Sequence, residues 1–271
     1  MKRINLFLLL SLLALSAMAQ TARKFTVNLT SDGEATLTAY LPELPLGRAI
    51  VDCPGGGYAF VSLANEGHDW ATYFNSQGIA YFVLKYRMPN GNRDIPMSDA
   101  RQAMRMVRDS SEVWGVNPRD VGIMGFSAGG HLTLMTSTST RHRAYWPVDA
   151  IDKQPCTLQW ACPIYPAYAL TDGGDRPNAQ GGNEDDSVLV PEFSFDLDTP
   201  PMCFVHGDAD GWAAMNSVKT WELLRRKGIQ CDLHTLATRG HCFQFTASPG
   251  TGSYTWMDRL WEFFTRKGFN K

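Results

Sequence analysis

Val121-Gly122-Ile123-Met124-Gly125-Phe126-Ser127-Ala128-Gly129-Gly130-His131-Leu132 is the stretch whose reading decides the fold. Its first half is a short apolar run, and Ala128 to Thr138 continues it as a helix, so a strand turns directly into a helix at Gly125-x-Ser127-x-Gly129. A serine on so sharp a turn has strained dihedrals, and a Cβ at either flanking position would meet neighbouring backbone. The turn lifts the hydroxyl above the sheet, and the helix points its N-terminus at any negative charge that develops there. G-x-S-x-G alone is a common string; its strand-turn-helix setting is what gives it chemical content.

The same alternation extends outward in both directions. Phe25 to Leu29 and Thr36 to Leu41 read as a strand pair joined by Ser31-Asp32-Gly33, and Arg48 to Cys53 as a strand stopped by Pro54. Glu66 to Gln77 reads as a helix ended by Gly78, followed by a β-prone run from Ile79 to Tyr86. Pro96 to Trp114 carries Ala100, Ala103, Met104, Val107 and Val113 at helical spacing and ends at Gly115. Downstream, strands are expected at 157–166, Pro201 to His206 and Cys231 to Leu236, with helices near 213–227 and 254–267. This order predicts the α/β class: a mostly parallel central sheet with helices on both faces. No repeat or Pro/Ser-rich linker divides residues 20–271, which are expected to form a single domain. Residues 166–200 are rich in Gly, Asp, Asn and Pro without a period, and are read as an insertion over the site.

The N-terminal segment differs in kind. Lys2 and Arg3 precede an apolar run from Leu6 to Leu15, and Ala17-Met18-Ala19 follows. That pattern predicts a signal peptide over 1–19, cleaved on export to the periplasm or medium, because the run is shorter than the roughly 20 residues a membrane span needs. Six cysteines are scattered through the rest without a C-x-x-C spacing. They read mainly as buried thiols, with Cys156 and Cys162 the first pair to test for a disulfide. A net charge of −2 and the absence of a basic stripe exclude a nucleic-acid partner. No H-E-x-x-H spacing occurs, and neither a metal nor another cofactor is expected.

Two further features bear on Ser127. Pro54-Gly55-Gly56-Gly57-Tyr58 follows a strand, and backbone N–H groups in a glycine-rich loop approach a ligand without side-chain interference. Gly56, Gly57 and Ala128 are therefore the candidate oxyanion donors. The phosphate-cradling patterns G-x-x-x-x-G-K-[ST] and G-x-G-x-x-G are absent from that loop. Beyond the serine come His206-Gly207-Asp208-Ala209-Asp210 and Arg239-Gly240-His241, each just past a strand. Serine, then acid, then histidine is the chain order of a triad in which His241 is the base, with Asp208 and Asp210 competing as the acid.

The chain resembles the α/β-hydrolase superfamily, and within it the exported bacterial carbohydrate esterases of acetylxylan-esterase-like and feruloyl-esterase-like type. The resemblance covers nearly all of 48–267 and rests on CPGGGY (53–58), EGHDWATYFNSQGIAYFVLKYR (66–87), DARQAMRMVR (99–108), MGFSAGGHL (124–132) and HGDADGWAAMNS (206–217). It implies Ser127 as nucleophile, Asp210 rather than Asp208 as the acid, and His241 as base. It also implies hydrolysis of small acyl esters, acetyl above all, on a polysaccharide or oligosaccharide. A feruloyl esterase, a serine peptidase of prolyl-oligopeptidase type and a catalytically silent carbohydrate-binding protein are the alternatives. The chain departs from the common pattern at Gly211-Trp212-Ala213-Ala214, where relatives often carry an apolar pair and proline, and at Cys242 in place of a glycine.

Tyr58 and Trp212 lie within these motifs and are the candidate substrate contacts. Trp146, Trp160, Tyr165 and Tyr168 suit a sugar platform or plain packing equally. His68, His131, His142, His206 and His234 read as packing or surface residues, with His131 placed one turn into the nucleophile helix. Asp99 with Arg101 or Arg105 reads as a helix-face ion pair.

Overall fold

The runs read as strands assemble into one eight-stranded sheet in a computed structural model, which describes residues 23–140, 142, 144–170, 193–195, 198–211, 214–237, 239–243 and 256–265. The strands are β1 (Arg23–Asn28), β2 (Thr36–Leu41), β3 (Ala49–Cys53), β4 (Ala80–Lys85), β5 (Val121–Phe126), β6 (Ala161–Ile164), β7 (Met202–Gly207) and β8 (Cys231–Leu236). Their order across the sheet is β1-β2-β4-β3-β5-β6-β7-β8. β2 runs antiparallel to both β1 and β4, and every later pairing is parallel. The β1–β2 turn forms as its residues dictate: Asp32 Oδ1 accepts the Glu34 N–H, and Gly33 takes the left-handed backbone at φ +72°.

Among the described residues six helices flank the sheet: α1 (Ala71–Ser76), α2 (Asp94–Asp109), α3 (Ser111–Trp114), α4 (Ala128–Thr138), α5 (Ala214–Arg226) and α6 (Trp256–Thr265). Alternate strand residues feed two apolar layers. Val51, Phe82 and Ile123 pack with Met97, Met104 and Leu132 on one face, and Ile50, Tyr81 and Met124 join Trp70, Phe74, Leu260 and Phe264 on the other. Central strands β3, β5 and β7 are buried along their whole length, which is why they read as unbroken apolar runs. All of α4 is buried too, and its Thr136 and Thr138 hydroxyls donate back to the Leu132 and Leu134 carbonyls rather than stay unsatisfied. Among the described residues, no helix is long and apolar enough to cross a membrane.

Several boundaries differ from the sequence reading. Glu66 begins no helix: its N–H bonds to Ser62, a short 3-10 turn spans His68–Trp70, and α1 starts only at Ala71. The helix expected over 96–114 breaks at Ser110, and the break turns Val113 outward to 68% exposure. The strand expected over 157–166 is confined to β6. Asp99 pairs with neither Arg101 nor Arg105; it is buried against Arg87, whose guanidinium donates to it at 2.7 Å. All six cysteines are free thiols, the Cys156 and Cys162 pair included. The expected insertion lies largely outside the described residues, in 171–192 and 196–197.

Candidate functional site

Four loops meet at the carboxyl ends of the parallel strands, the rim where open α/β sheets hold ligands. They follow β3 (Pro54 to Tyr58), β5 (Ser127), β7 (Asp208 to Asp210) and β8 (Arg239 to His241).

Ser127 is the junction between β5 and α4, held at φ 54° and ψ −117°. Glycine is obligatory on both sides. A Cβ on Gly125 would lie 2.3 Å from the Gly129 carbonyl oxygen, and one on Gly129 would lie 1.8 Å from the Cys53 carbonyl oxygen. The strained backbone is clamped by hydrogen bonds: the Ser127 N–H donates to Ile164, and its carbonyl accepts the N–H groups of His131 and Ala167.

The serine hydroxyl donates to His241 Nε2 at 2.7 Å, and His241 Nδ1–H donates to Asp210 Oδ2 at 2.5 Å. Asp210 is buried at 3% exposure. Burial works against its ionisation, but the hydrogen bonds from His206 and His241 outweigh it and hold the carboxyl well below the usual carboxylate range. Asp208, the rival acid, is exposed, and its N–H bonds to Leu236. The β7 and β8 loops reach each other because Gly207 has no side chain: a Cβ there would sit 2.3 Å from the Arg239 carbonyl oxygen. The Ala209 N–H donates to that same oxygen at 2.8 Å, tying the segment that carries Asp210 to the segment that carries His241.

The glycine loop closes the other side. Gly56 and Gly57 take φ values of +127° and +64°, and a Cβ on Gly56 would fall 2.2 Å from the Phe60 carbonyl oxygen. Tyr58 follows, also left-handed at φ 59°.

Residues 40–165 match the family model BD-FAE. An acetylxylan esterase of Xylanibacter ruminicola is 38% identical over 245 residues, or 87% of this chain and 49% of the relative. The chain thus spans about half the length of that relative. The apo form of Thermogutta terrifontis esterase 2 superposes with a TM-score of 0.72 at 22% identity, covering 93% of this chain and 97% of that one. An acetyl ester-xyloside bifunctional hydrolase from Caldicellulosiruptor lactoaceticus gives 0.66 at 23% identity, covering 89% and 93%. The likeness shows the α/β-hydrolase fold.

The site includes groups that the sequence reading left aside. His206, read as packing, donates from Nε2 to the same Asp210 oxygen at 3.0 Å, while its Nδ1 accepts the Ser217 hydroxyl at 2.6 Å. Burial holds its imidazole below the ordinary histidine range, so it is the neutral tautomer with hydrogen on Nε2. The only sequence signal was its position four residues before the acid.

Glu66 was read only as a helix start and as the first residue of a motif shared with relatives. Its carboxylate accepts the Gly55 N–H at 3.0 Å and the Tyr165 hydroxyl at 2.8 Å, and the Tyr165 ring stands edge-on to His241 with centroids 4.9 Å apart. Burial pushes the Glu66 carboxyl up, and those two hydrogen bonds counter part of the rise. One side chain thus joins the glycine loop to the tyrosine beside His241. Of the remaining aromatics, Trp160 is core, Trp146 is 79% exposed, and Tyr168 stacks on Tyr58 with centroids 6.1 Å apart. Trp212 lies outside the described residues.

Proposed function

We propose that the chain is a serine esterase that removes small acyl groups, acetyl above all, from a polysaccharide or its oligosaccharides. The observation that carries this reading is the unbroken hydrogen-bond series Ser127–His241–Asp210 at 2.7 and 2.5 Å. His241 takes the Ser127 proton as Oγ attacks the acyl carbon, and Asp210 fixes the histidine tautomer and stabilises the cation. The tetrahedral oxyanion falls to the N–H groups of Ala128, Gly56 and Gly57, because the Gly55 N–H is already given to Glu66. His241 then passes its proton to the departing sugar oxygen. Water, activated by the same imidazole, releases the acid from the acyl-enzyme and restores the serine.

The similarity to an acetylxylan esterase supports acetyl as the acyl group and an acylated carbohydrate as the partner. We place Tyr58 and Trp212 at the substrate, and export through the leader at 1–19 as its route to a polymer outside the cell.

The test uses purified protein on acetylated xylan, with free acetate as the readout and feruloylated xylan and an aminoacyl anilide as comparators. Acetate release is expected from the wild type, with Ser127→Ala reducing kcat by several orders of magnitude. Equal rates for the two proteins would remove Ser127 from the reaction, and faster release of ferulate than of acetate would transfer the activity to the feruloyl class.

A further inference from the structure

In the glycine loop after β3, the hydrogen bond made by each carbonyl decides where the next N–H points. A trans peptide carries its C=O and N–H on opposite sides, so a carbonyl fixed on one side aims its partner N–H to the other. The Gly55 carbonyl accepts the Ser62 N–H at 2.9 Å, which aims the Gly56 N–H away from Ser62. The Gly56 carbonyl accepts the N–H groups of Ala59 and Phe60 at 3.0 and 3.3 Å, which aims the Gly57 N–H away from that turn. Neither the Gly56 nor the Gly57 N–H has a hydrogen-bond partner among the described residues. The far end of the loop is tied to α4, where Tyr58 Oη and the Nδ1 of fully buried His131 lie 2.7 Å apart, and burial holds that imidazole well below the ordinary histidine range.

The peptide ahead of the two unengaged N–H groups is held at both ends. The Gly55 N–H donates to Glu66 Oε2 at 3.0 Å, and the Pro54 carbonyl accepts the Tyr86 hydroxyl at 2.7 Å. Pro54, Gly55, Glu66 and Tyr86 are all buried, whereas Gly56 is half-buried and Gly57 exposed. The same peptide presses on the nucleophile turn: a Cβ on Gly55 would lie 2.7 Å from the Phe126 carbonyl oxygen and 2.9 Å from Ser127 Cβ. The other Glu66 oxygen accepts the Tyr165 hydroxyl at 2.8 Å. The carboxylate therefore cannot turn away without leaving a buried donor unpaired.

We infer that Glu66 and Tyr86 are positioning residues for the esterase reaction: they clamp the Pro54–Gly55 peptide against the Ser127 turn, so that the Gly56 and Gly57 N–H groups stand in place for the oxyanion before the ester arrives. Neither residue touches the substrate. The inference rests on Ser127 being the nucleophile of an ester hydrolase, and adds to that reading what holds the oxyanion site in shape.

The experiment measures kcat and KM on 4-nitrophenyl acetate and the Ki of phenylboronic acid. The boron takes the Ser127 oxygen while the serine proton passes to His241, which leaves a tetrahedral anion in the oxyanion site. Active sites are counted by the nitrophenol released when a 4-nitrophenyl phosphonate modifies Ser127, so unfolded protein does not enter kcat. Glu66→Ala leaves the Gly55 N–H unpaired and is expected to lower kcat and raise Ki by about a hundredfold each, with KM within about threefold of the wild type. Tyr86→Phe removes one neutral hydrogen bond from the other end of the same peptide, and both changes are expected at about tenfold. Glu66→Gln restores most of the activity, because its amide oxygen accepts the Gly55 N–H while its N–H₂ faces the Tyr165 oxygen.

A role confined to folding lowers the number of active sites and the thermal midpoint but leaves kcat per site and Ki where they were. An unchanged Ki in Tyr86→Phe overturns the clamp, whether or not Glu66→Ala folds. Glu66→Gln losing as much as Glu66→Ala assigns the effect to the charge rather than to the hydrogen bond, and overturns it equally. A wild type that neither cleaves the aryl ester nor reacts with the phosphonate defeats the esterase reading itself, an outcome distinct from these.

Discussion

Replacing Asp210 with asparagine separates two contributions that the carboxylate makes at once. Both imidazoles donate to the same oxygen: His241 Nδ1 at 2.5 Å and His206 Nε2 at 3.0 Å from Oδ2. An asparagine in this place has one oxygen and one N–H₂ to offer, and His206 decides which of them faces the site. While His206 keeps its hydrogen on Nε2, with Nδ1 accepting the Ser217 hydroxyl, the amide oxygen is held at the shared position and the His241 tautomer survives. What is lost is the negative charge opposite the imidazolium. At a charge separation of about 4 Å and an effective dielectric near 20, that charge contributes about 4 kcal/mol, or roughly a thousandfold in kcat. Asp210→Asn is therefore expected to reduce kcat on 4-nitrophenyl acetate by about 10³. With His206 also changed to phenylalanine, the amide oxygen loses that donor. Its N–H₂ can then face His241, force the wrong tautomer, and extend the loss to about 10⁴. Circular dichroism and the thermal midpoint check that each variant is folded. A loss below tenfold in Asp210→Asn would remove this carboxylate from the reaction, and equal losses in the single and double variants would refute the role given to His206.

Gly129→Ala places a Cβ 1.8 Å from the Cys53 carbonyl oxygen, a backbone atom that cannot yield without moving β3, and is expected to lower stability by more than about 3 kcal/mol in denaturant titration. Asp52 is fully buried, and neither of its oxygens has a hydrogen-bond partner among the described residues. Burial pushes its carboxyl well above the usual range, so the folded state retains a proton that the unfolded chain releases. Its stability contribution is thus greatest at acid pH and declines as the pH rises from the unfolded to the folded pKa. Asp52→Asn is expected to gain on the wild type by about 1.4 kcal/mol for each pH unit of that interval, read as a thermal midpoint difference that is larger at pH 8 than at pH 4. The free cysteines predict six titratable thiols in denatured, unreduced protein and no mass change on reduction; a missing pair of thiols would contradict the structure.

The strands and the nucleophile turn were legible because local chemistry decides them. An apolar run buried on both faces reads the same in sequence as in space, and the Gly125 and Gly129 requirement arises within a few residues of Ser127. Helix starts were less legible. The stretch from Glu66 has helical spacing, but its first residues are claimed by a turn whose N–H groups return to Ser62 and Ala64. Val113 kept the apolar spacing of α2 but not its face, since the dihedrals of Ser110, φ −91° and ψ 7°, end one helix and start another. The triad order was readable along the chain. The layer behind it was not, because Glu66 meets Tyr165 across 99 residues and no local pattern encodes such a contact. His131 and His206 were underread for a related reason: an isolated histidine carries no information about which groups will face its two nitrogens.

The rim is where this chain departs from what would make it most stable. Ser127 sits in a conformation that costs an L-residue about 1–3 kcal/mol, Asp210 is ionised out of water, and two buried imidazoles are held neutral. None of these persists unless the surroundings leave no alternative, and the surroundings do so with groups that take no part in the chemistry. Ile164 and Ala167 clamp Ser127 from β6 and the loop beyond it, and the absent side chain of Gly207 admits the Arg239 carbonyl. Under this rim both sheet faces hold rings in contact, Trp70 against Trp256 at 5.0 Å on one and Phe82 against Trp114 at 5.3 Å on the other. A donor or acceptor placed before the substrate arrives needs no reorganisation when charge develops. The rigid aromatic layers and the strained turn at Ser127 are consequently two parts of one device, the first holding fixed what the second could not hold alone.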